Sequence, residues 1–112
     1  MLGDAKLCLE VAKAGENKFE CIQEVPAEGV KAGTYVSVWQ AYLLPQGDVI
    51  EDVMIQLKQG DVVRETKDVK LKGEGLRTRS WNGFRIPKPG SWTITILRGS
   101  ETLKSFTVNA FK

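Results

Sequence analysis

Histidine is absent from all 112 residues. That removes the side chain most suited to general-base work near neutral pH, the Ser-His and Cys-His nucleophile pairs, and most transition-metal sites. Cysteine is scarce as well, with only Cys8 and Cys21. Two thiolates without histidine do not complete a structural zinc site. No apolar run approaches the roughly 20 residues of a membrane helix. The start, Met1-Leu2-Gly3-Asp4, has neither a basic nor an apolar stretch, so no signal peptide is expected. Two locations stay open: the cytoplasm, or an extracytoplasmic space (periplasmic or secreted) reached with a signal that has been removed. Glu51 and Asp52 adjoin a turn, but no second carboxylate pair converges with them, which leaves glycosidase or calcium chemistry unsupported. No catalytic residue, metal ligand or cofactor motif is therefore assigned, and the chain is expected not to be an enzyme.

What is present is ordinary globular material: 42% hydrophobic and 27% charged residues in a length that suits one domain, residues 1–112. The net charge of +2 hides a strong asymmetry. Residues 1–63 hold five lysines against ten acids, whereas residues 64–88 hold eight basic residues against three acids. Such a bipolar chain orients in a field or stacks on copies of itself, although solvated strand faces also collect charge unevenly.

Short alternating runs separated by turn residues recur along the chain, the pattern of a sandwich or barrel. Leu7, Leu9 and Val11 alternate with polar neighbours in 6–12, and a second strand is expected over 18–24. Pro26, Gly29 and Gly33 mark a loop. Residues 34–44 are apolar on both faces, which places that strand centrally in a sheet. Residues 48–60 read two ways. Ile50, Val53, Met54 and Leu57 have helical spacing behind a capping-box pattern at Asp48 and Glu51. Val53, Ile55 and Leu57 also alternate with Asp52, Met54 and Gln56, and strand is the choice because every other segment reads β. Gln-Gly-Asp-Val occurs at 46–49 and again at 59–62, as turn chemistry rather than as a repeat. Strands are expected over 62–66, 69–72, 76–80 (running on into Trp81-Asn82-Gly83-Phe84), 91–97 and 102–111. The expectation is an all-β chain, an antiparallel immunoglobulin-like β-sandwich of about seven or eight strands.

Three features stand out within that frame. A two-residue turn at Ala14-Gly15 would set Cys8 directly opposite Cys21, within disulfide range, and such a bridge contributes roughly 3 kcal/mol in the chain-entropy model. Two separate buried thiols are the alternative. Trp39 and Trp92 lie in apolar alternating strands and are read as core anchors that can face one another across the sandwich. The stretch 77–88 concentrates Arg77, Arg79, Trp81, Asn82, Phe84, Arg85 and Lys88. In a strand, Arg77, Arg79 and Trp81 share one face, while Leu76, Thr78 and Ser80 share the other. Arginines beside an aromatic ring suit carboxylates, phosphates, acidic sugars or an acidic protein patch. A solvated outer face with Trp81 folded over the core end explains the same residues. Nucleic acid is not expected, since the chain as a whole is only slightly basic.

Arg77-Thr78-Arg79-Ser80, Pro89-Gly90-Ser91-Trp92-Thr93-Ile94 and Leu103-Lys104-Ser105-Phe106-Thr107-Val108 together resemble the bacterial domain of unknown function 2914 over about residues 50–110. There an Arg/Ser segment precedes a Gly-x-Trp strand and a closing hairpin ends in Phe-x-Val. Met54 and Gln56 depart from that pattern, in which a His or Trp is expected. The resemblance implies an exported or membrane-tethered accessory domain of a bacterial envelope or surface system, without catalysis. The partner is expected to be a protein or a second copy of the chain, or an acidic glycan. Two further readings are a self-associating structural subunit and, through an exposed platform of Trp81 with Tyr35 or Tyr42, a carbohydrate-binding module.

Overall fold

The computed structural model describes residues 2–11, 20–73, 75 and 77–112. In chain order the strands are β1 (Leu2–Val11), β2 (Cys21–Glu24), β3 (Val30–Lys31), β4 (Tyr35–Leu43), β5 (Val49–Gln59), β6 (Val62–Lys72), β7 (Arg77–Arg85), β8 (Gly90–Arg98) and β9 (Glu101–Phe111). They form two sheets in the orders β2-β1-β4-β7 and β3-β9-β8-β5-β6. Every pairing is antiparallel except that of β3 with β9. The chain is an immunoglobulin-like β-sandwich, as its turn spacing implies.

Alternation builds the core. Trp92, Ile94 and Ile96 on β8 and Val53, Ile55 and Leu57 on β5 all turn inward and are buried, facing Val36, Val38 and Tyr42 of β4. Residues 49–59 are therefore strand, and their helical spacing is incidental. Both Gln-Gly-Asp-Val copies close turns, with Gly47 at φ 92° and Gly60 at φ 61°, where a Cβ would be strained.

Strand β4 lies between β1 and β7, as its two apolar faces require. Its inner face also buries Gln40, fully satisfied: Nε2 donates to Val38 O (2.8 Å) and Asn82 Oδ1 (3.1 Å), and the Tyr42 hydroxyl donates to Oε1 (2.6 Å). Burial pushes the Tyr42 phenol well above its ordinary value.

Four expectations need correction. Residues 62–72 form one strand: Thr66, Lys67, Asp68 and Val69 pair without interruption with Gln56, Ile55, Met54 and Val53, and the register shifts of this pair fall on either side of the expected break. The loop around Gly29 contains the two-residue β3, held parallel to the end of β9. Trp39 and Trp92 are both buried but do not face one another. Trp92 is in the main core, whereas Trp39 belongs to a separate cluster with Cys8, Val11 and Ala41 on the outer face of its sheet. Cys8 and Cys21 are joined (Cα–Cα 5.9 Å), yet Cys8 lies opposite Glu24 and Cys21 opposite Val11. Bulges between Cys8 and Val11, rather than direct opposition, bring the sulfurs together. The turn at Ala14-Gly15, the start of the second strand at Lys18, and Leu76 lie outside the described residues.

Candidate functional site

The register of β4 with β7 determines what shares a face with the arginines. Trp39 pairs with Trp81, Ala41 with Arg79, Tyr35 with Arg85 and Leu43 with Arg77. Lys6 and Cys8 of β1 lie opposite Trp39 and Ser37. Directly opposed residues share a side, so the outer face of this sheet carries Lys6, Tyr35, Trp39, Arg79, Trp81 and Arg85. The side chain of Arg77 is outside the described set.

Beneath this surface is a small second core. The Cys8–Cys21 bond packs with Val11, Trp39 and Ala41, and half-buried Trp81 leans on the same cluster. The Lys6 ammonium sits 5.6 Å from the centre of the Trp39 ring, a cation–π contact that covers the indole. Arg79 forms an ion pair with Glu20, which ties the approach to β2 across the face to β7. Nothing local in the sequence signals that pair, since 59 residues separate its members.

Tyr35 completes the surface. It is 55% exposed, and its ring lies across Gly83, where any Cβ would overlap it. This places a tyrosine ring beside Trp81 on the strand, with Arg85 exposed at the end of the row and donating to Gly33 O (3.3 Å). Tyr35, Trp81, Arg79 and Arg85 are thus brought together.

The other residues of the stretch point elsewhere. Asn82 faces inward and accepts from Gln40. Phe84 is 1% exposed in the main core, so it offers nothing to a partner. Lys88 is exposed beyond the strand, and its carbonyl accepts from the Trp92 indole (2.9 Å). Tyr42 is equally buried, so Tyr35 alone joins Trp81 on the open face.

The electrostatics extend beyond this row. Arg64, Lys67, Lys70 and Lys72 lie on β6, the edge strand next to β7, with Glu65 and Asp68 among them. Glu10, Glu24 and Glu28 lie at the β1–β2 side. Positive charge thus gathers on β6 and β7, and acids at the β1–β2 side, with a further group, Asp48, Glu51, Asp52 and Asp61, along β5 and its turns. Among the described residues, no group of three or more acids or cysteines converges as a metal site, and no helix is long and apolar enough to cross a membrane.

No family model matches the chain, and no curated protein or solved structure matches it. The resemblance of residues 50–110 to domain of unknown function 2914 rests on the quoted segments alone.

Proposed function

We propose that the chain is a non-catalytic, extracytoplasmic interaction domain, an accessory module of a bacterial envelope or surface system. It holds an acidic protein surface on the outer face of the β2-β1-β4-β7 sheet. The observation that carries this reading is the gathering of Tyr35, Trp81, Arg79 and Arg85 on one open face by strand register. Arginine forks recognise carboxylates, as Arg79 does with Glu20 of its own chain, while Arg85 is the exposed fork; flat aromatic side chains supply contact area at low entropic cost. The rigid support beneath the row limits reorganisation on binding. The joined cysteines favour an oxidising compartment.

The test is affinity capture from an envelope extract of the source organism, comparing the native chain with one in which Arg77, Arg79 and Arg85 are all alanine. Near-ultraviolet circular dichroism verifies that the variant is folded. The expected result is loss of the captured protein, and capture unchanged by the substitutions overturns the reading. Capture of a glycan instead of a protein reassigns the face to acidic sugars.

The segregation of charge favours a second reading, self-association of the acidic flank of one copy with the basic flank of the next. Light scattering over a concentration and salt series separates the two. Monomers throughout remove the second reading, and salt-sensitive growth of the particle supports it.

A further inference from the structure

The β1 and β9 side of the sandwich is incompletely covered. Strand β2 pairs with β1 only from Cys8 to Val11, and β3 pairs with β9 only at Ala110 and Phe111. Among the described residues, no strand lies beyond β1 before Leu7 or beyond β9 before Ala110. The backbone of β1 before Leu7 has, among the described residues, no strand as partner on this side. Leu7 O accepts from Val25 N (2.9 Å), so the main-chain groups of Leu7 point to this flank. By the period of two, those of Ala5 point the same way. The N–H of Ala5 donates to the neighbouring Asp4 carboxylate (2.9 Å) rather than to a strand.

The same flank holds two cavities that share Leu2 and Leu103. One, of about 210 Å³, lies between residues 2–5 of β1 and Leu103-Lys104 of β9. The other, of about 360 Å³, continues toward the end of the sandwich between Tyr42, Leu44, Ile50 and Val53. Leu2, Ala5, Leu9, Leu103 and Phe106 are only partly buried where they pack on the main core. The wall of the smaller cavity holds Asp4 and Lys104; that of the larger holds Asp48 and Arg98, whose guanidinium is paired with Asp52.

We propose that this flank is a strand-acceptor groove for an extended, uncharged segment of a partner protein with apolar residues at alternate positions. Such a segment extends the line of β2 along β1, takes the outward groups of Ala5 in place of the Asp4 carboxylate, and directs every second side chain toward Leu2, Leu103 and Phe106. A compact apolar ligand fills the cavities but leaves the strand edge unpaired. A charged tail finds one acid, Asp4, and one base, Lys104, along the β1 edge, and so no net charge to pair with. About six residues span the groove, at roughly 3.3 Å each. The site uses none of the arginines of the outer face, so it stands or fails independently of that reading.

The probe is a fluorescein-labelled peptide of three Val-Thr repeats with a lysine at each end, titrated by anisotropy against the full chain. A control peptide has the same composition with its three valines contiguous. The expected result is saturable binding of the alternating peptide, at least about tenfold tighter than the control, with slowed amide exchange at Ala5. Two variants probe the groove by different routes. Ala5→Pro removes a donor that the β1–β4 ladder does not use, and Leu103→Glu places a charge in the floor. Each is expected to weaken binding about tenfold or more while the thermal transition remains cooperative. If either variant fails to fold, the other carries the comparison. Absence of binding, equal binding of the two peptides, or binding indifferent to the folded variants overturns the proposal. Concentration-dependent dimerisation abolished by either variant also overturns it, by making a second copy the occupant.

Discussion

The two flanks of the sandwich start from the same problem and are finished differently. On each, the edge of one sheet lies beside the edge of the other. On the β6–β7 flank, Lys67 reaches from one sheet to the other, donates to the carbonyl of Gly83, and sets its ammonium 5.1 Å from the centre of the Phe84 ring. One long side chain thereby caps an edge carbonyl and covers the rim of the core. On the β1–β9 flank, β2 and β3 cover the two edges only near one end, and cavities occupy the rest. Lys104 lies 5.7 Å from the Phe106 ring centre, but its ammonium has no bond across to β1 among the described residues. A sheet edge is therefore closed by what is anchored across it, not by the number of strands alongside.

The largest expected effect tests the packing half of that contrast. Phe84→Ala removes a fully buried ring from the closed flank and is expected to cost about 3–5 kcal/mol. Phe106→Ala, at a half-buried position on the open flank, is expected to cost less than about half of that. Urea unfolding with a common slope measures both. Equal losses break the comparison, because they mean that the two flanks are packed alike.

A smaller effect isolates the anchor. Lys67→Met retains most of the aliphatic stem and removes the ammonium, freeing the Gly83 carbonyl. Lys67 is a third exposed, so the loss is expected to be about 1–2 kcal/mol rather than the full value of a buried charged bond. The clearer readout is at the strand edge: faster amide exchange in β7 and concentration-dependent association of the variant. Unchanged exchange would show that Lys67 only decorates a flank that is closed without it.

The legible parts of this fold are those in which one residue determines the direction of the next. Val53, Ile55 and Leu57 on β5, like Trp92, Ile94 and Ile96 on β8, declare their strands by period alone. The central place of β4 follows from having no polar face. That same property hides the location of Trp39, since a strand buried on both sides carries no mark of which side is the interior. Phe84 was within reach of sequence reasoning. It has the same parity as Thr78 and Ser80, opposite to Arg79 and Trp81, and so belongs inside. The register at Cys8 was not legible, because bulges shift the pairing without leaving a compositional trace. The Glu20–Arg79 pair and the reach of Lys67 to Gly83 are set by tertiary approach, for which neither spacing nor composition provides a signal.

Acid separates the flanks most gently. At the lip of the open flank, Arg98 Nε donates to Asp52 Oδ2 (2.9 Å). That hydrogen bond first, with the charge of Arg98 adding to it, holds the Asp52 carboxyl below its ordinary value of 3.8. The folded chain then binds fewer protons at this site than the unfolded chain does. Its contribution is complete above the ordinary carboxylate range and is lost as pH falls through the lowered folded value. Both side chains are more than half exposed, so the effect is expected to be small and reduced further by salt. Thermal melts from about pH 5 down to about pH 2 are expected to show a shallower loss of stability in Arg98→Gln than in the native chain, with the difference shrinking in high salt. Parallel slopes would show that the pair does not hold the open flank. The corresponding bond on the closed flank joins a lysine to a backbone carbonyl. That bond contains no carboxylate, and the Glu65 carboxylate stands 3.8 Å from the ammonium, so Lys67→Met is expected mainly to shift the melting curve as a whole over the same range.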